Sequence, residues 1–296
     1  NVEVITNPGA RYSASVKSVI RITTKQIEGE GFGFDARAIF NYSNYTQWDE
    51  TGRFNFNYRK GGFDLIGMLY MSNTTGFDYK TLKQYTYLDN TWEQTNEIYG
   101  ETPRTNPYGK LGLNYMFNPN HSIGVSFSYD RYPGGDSWMD LASTVVRDGE
   151  LVENSTSNLT QNERETIMQA NLYYTGKIGE WSIDFNADWY WNKDDSPIST
   201  AEEYQEVGGT PENQTIDTKT LKRSQLTASK LVLSTPLWEG KLDFGGEYSY
   251  SKRKTTYTVL PVGFIEDDHS RIQEGMASAF VEYARQIGAV QLQAGL

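Results

Sequence analysis

Residues 32–42 read Phe-Gly-Phe-Asp-Ala-Arg-Ala-Ile-Phe-Asn-Tyr. Every second residue is apolar, with Phe32, Phe34, Ala36, Ala38, Phe40 and Tyr42 on one side. Gly33, Asp35, Arg37, Ile39 and Asn41 alternate on the other. A strict period of two is the signature of a strand with one wet face. The pattern repeats at once, with Phe54, Phe56 and Tyr58 set against Arg53, Asn55, Asn57 and Arg59. Lys60-Gly61-Gly62 then marks a tight turn, and Phe63, Leu65, Leu69 and Met71 follow.

Outward from this hairpin the same pattern returns. Leu111, Leu113, Tyr115 and Phe117 precede the turn Asn118-Pro119-Asn120, and Ile123, Val125, Phe127 and Tyr129 follow it. Met168, Ala170, Leu172 and Tyr174 lead through 176–179 to Trp181, Ile183, Phe185, Ala187, Trp189 and Trp191. The facing residues there are Ser182, Asp184, Asn186 and Asp188. Leu242, Phe244, Gly246, Tyr248 and Tyr250 form another such run, and 221–234 and 273–286 are expected strands of unassigned facing. No stretch reads as a helix.

Composition narrows the class. Twenty-seven Lys and Arg against 38 Asp and Glu give a formal charge of −11, with no basic face for nucleic acid. With Cys 0 and His 2, disulfides, thiolate chemistry and multi-histidine metal centres are excluded. Mean hydropathy is −0.64, and no run approaches the ~20 apolar residues of a membrane helix. Yet Tyr 21, Phe 13 and Trp 7 are far too many for a disordered acidic chain. An all-β protein remains, either a soluble sandwich or an outer-membrane barrel.

The connections favour the barrel. Short ones are expected near 60–62, 118–121, 176–179, 235–240 and 286–289, and longer ones near 44–51, 74–107, 132–162, 192–219 and 258–271. Short turns on one rim and long loops on the other is the layout of outer-membrane barrels. Strands of ten or more residues, rising ~3.3 Å each and tilted ~40°, span an apolar band of ~25 Å. Tyr42, Tyr58, Phe63, Phe117, Tyr129, Trp181, Trp189, Trp191 and Tyr250 fall near strand ends, where ring side chains favour the headgroup level. The competing explanation is that aromatics simply favour strands.

The first residues carry a resemblance. Glu3, Ile5, Asn7, Pro8, Ala10, Arg11 and Tyr12, then Ile20, Ile22, Thr24 and Lys25, match the pattern E-V-I-x-N-P-x-A-R/K-Y followed by I-x-I-x-T-K. This resembles the last part of the plug domain of TonB-dependent outer-membrane receptors, in its nutrient-importing branch. Ser13 and Lys17-Ser18 stand where many members have an acidic residue and a Gly pair. The resemblance implies residues 1–28 as the end of a plug and 29–296 as the first part of an antiparallel transmembrane β-barrel, about eleven of 22 strands. The run 290–296 stops inside an alternating stretch, and the chain is expected to be a piece of something longer. No leader with a charged and an apolar region follows Asn1, so any signal peptide is expected to be removed or upstream.

The resemblance also implies energy-coupled import of a nutrient (a glycan, a peptide or a metal chelate). The expected partners are outer-membrane lipid, the TonB complex acting through the missing N-terminal part, and a possible surface lipoprotein. The alternative is a passive porin-like, structural or adhesive barrel. No enzyme activity and no cofactor is implied. His121 and His269 are expected at opposite rims, which leaves Ser and Thr without a base. Asp184 with Asp188 reads as a polar barrel wall, and Asp194-Asp195 and Glu266-Asp267-Asp268 as solvated acids without calcium-loop spacing. In a Gram-negative outer membrane the Asn-x-Ser/Thr triplets, such as 44–46 and 154–156, would be accidents of an Asn- and Thr-rich chain; they would matter only in a eukaryotic secreted protein.

Ligand capture is expected at the long connections. Tyr85, Tyr87, Trp92 and Trp138 are the candidate anchors, because rings give flat contact with few rotors to freeze. Asp194 and Asp195 join them, and the excess of acids over Lys in 192–219 favours a neutral glycan or cationic peptide. Arg11 and Arg21 are expected to face inward acids such as Asp35, Asp184 or Asp188.

Overall fold

The computed structural model describes residues 2–5, 9–10, 12, 16–22, 29–43, 47–263 and 265–296. The triplet at 44–46 and the motif residues Asn7, Pro8, Arg11, Thr24 and Lys25 lie outside the described residues.

Two short strands, β1 (Val2–Ile5) and β2 (Val19–Ile22), pair antiparallel as a separate sheet with Val2 opposite Ile22. The remaining strands form one antiparallel sheet. They are β3 (Gly31–Tyr42), β4 (Trp48–Lys60), β5 (Phe63–Tyr87), β6 (Thr91–Asn118) and β7 (His121–Tyr132). Next come β8 (Ser137–Arg147), β9 (Glu150–Gln161), β10 (Arg164–Ile178) and β11 (Trp181–Glu206). Last are β12 (Glu212–Leu237), β13 (Gly240–Leu260), β14 (Asp268–Ile287) and β15 (Val290–Gly295).

The main path runs β3-β4-β5-β6-β7-β10-β11-β12-β13-β14-β15, with sequence neighbours paired except at β7–β10. There β8 and β9 leave the path as a hairpin wedged between the outer ends of β6 and β11. β8 thus continues the line of β7 and β9 that of β10, so the path agrees with the expected count of about eleven strands. The path begins at β3 and ends at β15 without these two pairing.

The expected short turns are present, with Gly61 and Gly179 both at left-handed φ. The long connections differ from expectation. The stretches expected as loops at 74–107, 132–162 and 192–219 are mostly strand, as β5 and β6, β8 and β9, and β11 and β12 run on past the apolar band. Their Thr, Tyr, Gln and Glu residues suit an extended backbone wet on both faces.

The register assigns every side chain to one of two faces. Phe34, Phe56, Gly67 and Leu111 are consecutive cross-strand neighbours on one face. Val125, Leu172, Ala187, Ser229, Tyr248 and Ala277 continue it. The opposite face carries Asp35, Asn55, Asn171, Asp188, Lys230 and Glu247. No second layer covers the apolar face, where Phe32 is 62% and Phe34 is 68% exposed. Among the described residues the buried apolar side chains are Tyr132, Val232 and Val259. A water-soluble sandwich of this size would bury a broad core. A single sheet with a bare apolar face and a polar one is a barrel wall for lipid.

Candidate functional site

The polar face is a continuous hydrogen-bonded wall. Asn55 donates to Asp35 at 2.8 Å, and Arg53 lies 3.9 Å from the same carboxylate. Arg59 donates to Asp64 at 2.9 Å. Asn171 reaches Asp188 at 2.7 Å and Asn186 at 3.1 Å, and Tyr173 donates to Asn114 at 2.9 Å. Lys230 pairs with Glu247 at 3.1 Å, and Lys241 with the buried Asp243 at 2.8 Å. Such a wall pairs many of its polar groups with one another across the strands.

Against this wall lie Gly9, Ala10 and Tyr12. A Cβ on Gly9 would collide with the side chains of Glu282 and Gln293, and one on Gly295 would come 2.6 Å from the Ala10 Cβ. The Lys230 ammonium sits 5.5 Å from the centre of the Tyr12 ring and 5.8 Å from that of Phe280, within cation–π range. All these wall residues belong to the polar face of β12–β15. Gly9, Ala10 and Tyr12 therefore sit on the polar face of the sheet. Arg21 departs from expectation. It donates to Glu3 at 3.3 Å, across the β1–β2 pair, rather than to a wall acid. Glu3 and Arg21 are direct cross-strand partners in that pair.

The six candidate residues do not converge. Tyr85 and Tyr87 stack at 6.3 Å near the tip of β5, on the face that lower down is apolar. Trp138 shares that face and meets Tyr99 edge-on at 5.4 Å. Trp92 points to the lumen face, where the Arg147 guanidinium lies 5.5 Å from its ring centre. Asp194 and Asp195 are adjacent, so the pleat sends them to opposite faces. Asp194, on the lumen face, pairs with Lys222 at 3.3 Å, and Asp195, on the outer face, with Lys219 at 3.3 Å. Of the six, only Trp92 and Asp194 face the lumen.

The outer hairpins form features that sequence reasoning did not find. A cleft of about 730 Å³ lies across β5, β6, β8, β9, β11 and β12, lined by Tyr79, Tyr99, Asp140, Asn158, Glu203 and Asn213. These residues meet only because the β8–β9 hairpin zips β6 to β11. At the same height on the lumen face, Glu202 accepts from Gln214 at 2.5 Å. At the same tip Tyr204 donates to Glu212 at 2.5 Å, and that hydrogen bond raises the phenol's pKa. Glu93, hydrogen-bonded to Lys83 at 3.1 Å, likewise raises the ammonium at the β5 tip. Both tips lie beyond the apolar band. Of the two histidines, His121 opens β7 at the short-turn rim, its Nδ1 2.8 Å from the Tyr174 hydroxyl, and His269 is the second residue of β14 at the other. Among the described residues no three His, Asp or Glu side chains group as metal ligands.

Residues 175–296 match the model of the family described as outer membrane protein beta-barrel family. Comparison with curated proteins gives no match. Among solved structures, the chain is similar to the ferric citrate transporter FecA in its unliganded form, at 12% identity and TM-score 0.36, covering 99% of this chain and 48% of that one. BauA, the ferric preacinetobactin receptor from Acinetobacter baumannii, gives 10% identity and TM-score 0.32, covering 99% and 52%. The monoaromatic hydrocarbon channel CymD gives 11% identity and TM-score 0.30, covering 78% of each chain. The chain spans about half the length of the first two. The family match covers the end of β10 and all of β11–β15, whose apolar and polar faces are described above. The protein resides in the outer membrane.

Proposed function

We propose that this chain belongs to an active importer, in which a plug segment sits in the barrel lumen and energy from the inner membrane, passed through a TonB complex, moves it. The seat of Gly9, Ala10 and Tyr12 on the lumen wall carries this reading. A passive pore has no use for a backbone segment packed against Glu282, Gln293 and Lys230. The contacts there are polar, cation–π or, at Ala10 beside Gly295, small, so they can release into a wet lumen while exposing little apolar surface. The E-V-I-x-N-P-x-A-R-Y stretch that includes this seat supports the same reading.

The cargo is a nutrient that enters past the outer hairpins. Trp92 and Asp194, on the lumen face, are the proposed contacts, with Glu202 and Tyr204 above them. A neutral glycan or a cationic peptide suits rings beside acids and amides better than an anionic chelate does. A surface lipoprotein is a further proposed partner at the outer mouth.

Uptake in cells carrying the full-length protein tests the reading. Cells are offered labelled neutral oligosaccharides, cationic peptides and ferric chelates, with and without the energy transducer. Accumulation of a glycan or peptide that stops when the transducer is deleted is the expected result. Accumulation that persists without it, together with open-channel conductance of the purified protein in planar bilayers, identifies a passive pore and overturns the proposal.

A further inference from the structure

Lys193, Arg223, Lys254 and Arg271 are successive cross-strand partners on β11, β12, β13 and β14. They stand on the outer face, the same one that carries Phe185 and Tyr248. Neighbouring strands lie ~4.8 Å apart, so the row packs its charges along about 15 Å. Lys252 sits one step below Lys254 on that face, and Thr166 links Lys193 across to Arg131. Like charges directly opposite one another in a sheet repel. Sequences usually interleave acids to avoid this, and here none of the four forms an ion pair among the described residues. Asp195, the nearest acid on this face, is held by Lys219.

Height decides what neutralises the row. Below Lys193 the outer face of β11 presents Trp191, Trp189, Ala187, Phe185 and Ile183. Ten residues separate Ile183 from Lys193, about 25 Å along the membrane normal for a strand tilted ~40°, which is the thickness of the apolar band. The row therefore stands at the outer headgroup level; Trp191, Gln225, Lys252 and Gln273 form the next cross-strand row beneath it, and the acyl chains begin below that. At the other rim the same face of these strands ends in Trp181, Leu233, Leu242 and Tyr283, and Arg285 there is paired with Glu239.

We infer that the outer face of β11–β14 binds the phosphate groups of outer-leaflet lipid, seating phosphorylated lipid A on Lys193, Arg223, Lys254 and Arg271. A lipid supplies both halves of the match, with anionic phosphates at the row and acyl chains on the aromatic and aliphatic face below. Arg forks clamp phosphate oxygens in pairs, and the lysines add point charge.

The test uses the full-length protein, extracted from outer membranes in mild detergent, with lipid A phosphate measured per protein. The variant K193Q/R223Q/K254Q/R271Q is expected to retain at least fivefold less lipid A than the parent. In nanodiscs, the parent is expected to enrich bisphosphorylated over dephosphorylated lipid A, and added salt to erode the enrichment. The lumen-facing variant K222Q/R253Q is the control and keeps the parental level. If the fourfold variant does not assemble, K193Q/R223Q and K254Q/R271Q are measured separately, each with at least a twofold loss expected. Equal retention in parent and variants, indifference to lipid A phosphorylation, or an equal loss in the lumen control overturns the inference. So does loss of a co-purifying acidic protein with lipid A unchanged, which assigns the row to a protein partner.

Discussion

Phe127 stands mid-band on the lipid face, 45% exposed, with Leu111 and Ala170 as its cross-strand neighbours. Replacing it by Arg puts a charge into acyl chains and is expected to cost about 2–4 kcal/mol. Asn186 is the paired control, because it faces the lumen and accepts from Asn171 at 3.1 Å. Asn186→Arg keeps its charge in water, and the expected cost is small. A urea titration of the refolded protein in lipid measures both, and equal costs would refute the facing. Glycines divide in a similar way. A Cβ on Gly245 would run into the Leu231 carbonyl oxygen and come 3.1 Å from the Phe280 ring, whereas one on Gly275 would touch only Tyr250 at 3.8 Å. The first obstacle is backbone and cannot swing aside. Gly245→Val is thus expected to lose roughly 1–3 kcal/mol and Gly275→Ala to fold like the parent, in the same titration.

The β8–β9 hairpin is a module added above the barrel wall. β7 and β10 pair from Tyr132 opposite Glu165 down to His121 opposite Gly176 and need nothing from it. Excising 137–161 and joining the ends by a short turn should preserve assembly, visible as an unchanged heat-modifiable shift on electrophoresis. The outer edges of β6 and β11 lose their partners, but water satisfies them beyond the membrane. Loss of the shift would mean that the hairpin nucleates the wall. Removing 80–100 is a harsher change than a loop deletion. It takes out the part of β6 that pairs with β8 from Trp92 to Gly100, and it frees one edge of the hairpin. That variant should assemble yet lose ligand binding, and the 137–161 excision separates the two contributions.

β3 and β15 each have one paired side within the sheet. Free backbone donors and acceptors are not tolerated in lipid, so both edges need strand partners there. Expressed alone, residues 1–296 should yield aggregates or oligomers on refolding into lipid. A monodisperse, heat-resistant monomer in analytical ultracentrifugation would show that the two edges find each other.

Much of this molecule is legible along the chain because a strand's facing is a local property. The alternation at 32–42 or 181–191 names its lipid and lumen residues without knowledge of any partner, and Gly61 or Gly179 places a turn through its own backbone freedom. The same period of two already separates Asp194 from Asp195. The outer hairpins carry no such signal. Between Thr74 and Pro107 both faces meet water, so polarity does not alternate and strand reads like loop. Pairing settled matters there. The turn at 88–90 set the phase that sends Trp92 inward and leaves Tyr85 and Tyr87 outward. Register chose Lys222 for Asp194, and the β8–β9 hairpin brought Tyr99 to Trp138. Facing depends on one residue's neighbours in the chain, whereas partners depend on how many residues each turn consumes and on which strands lie side by side.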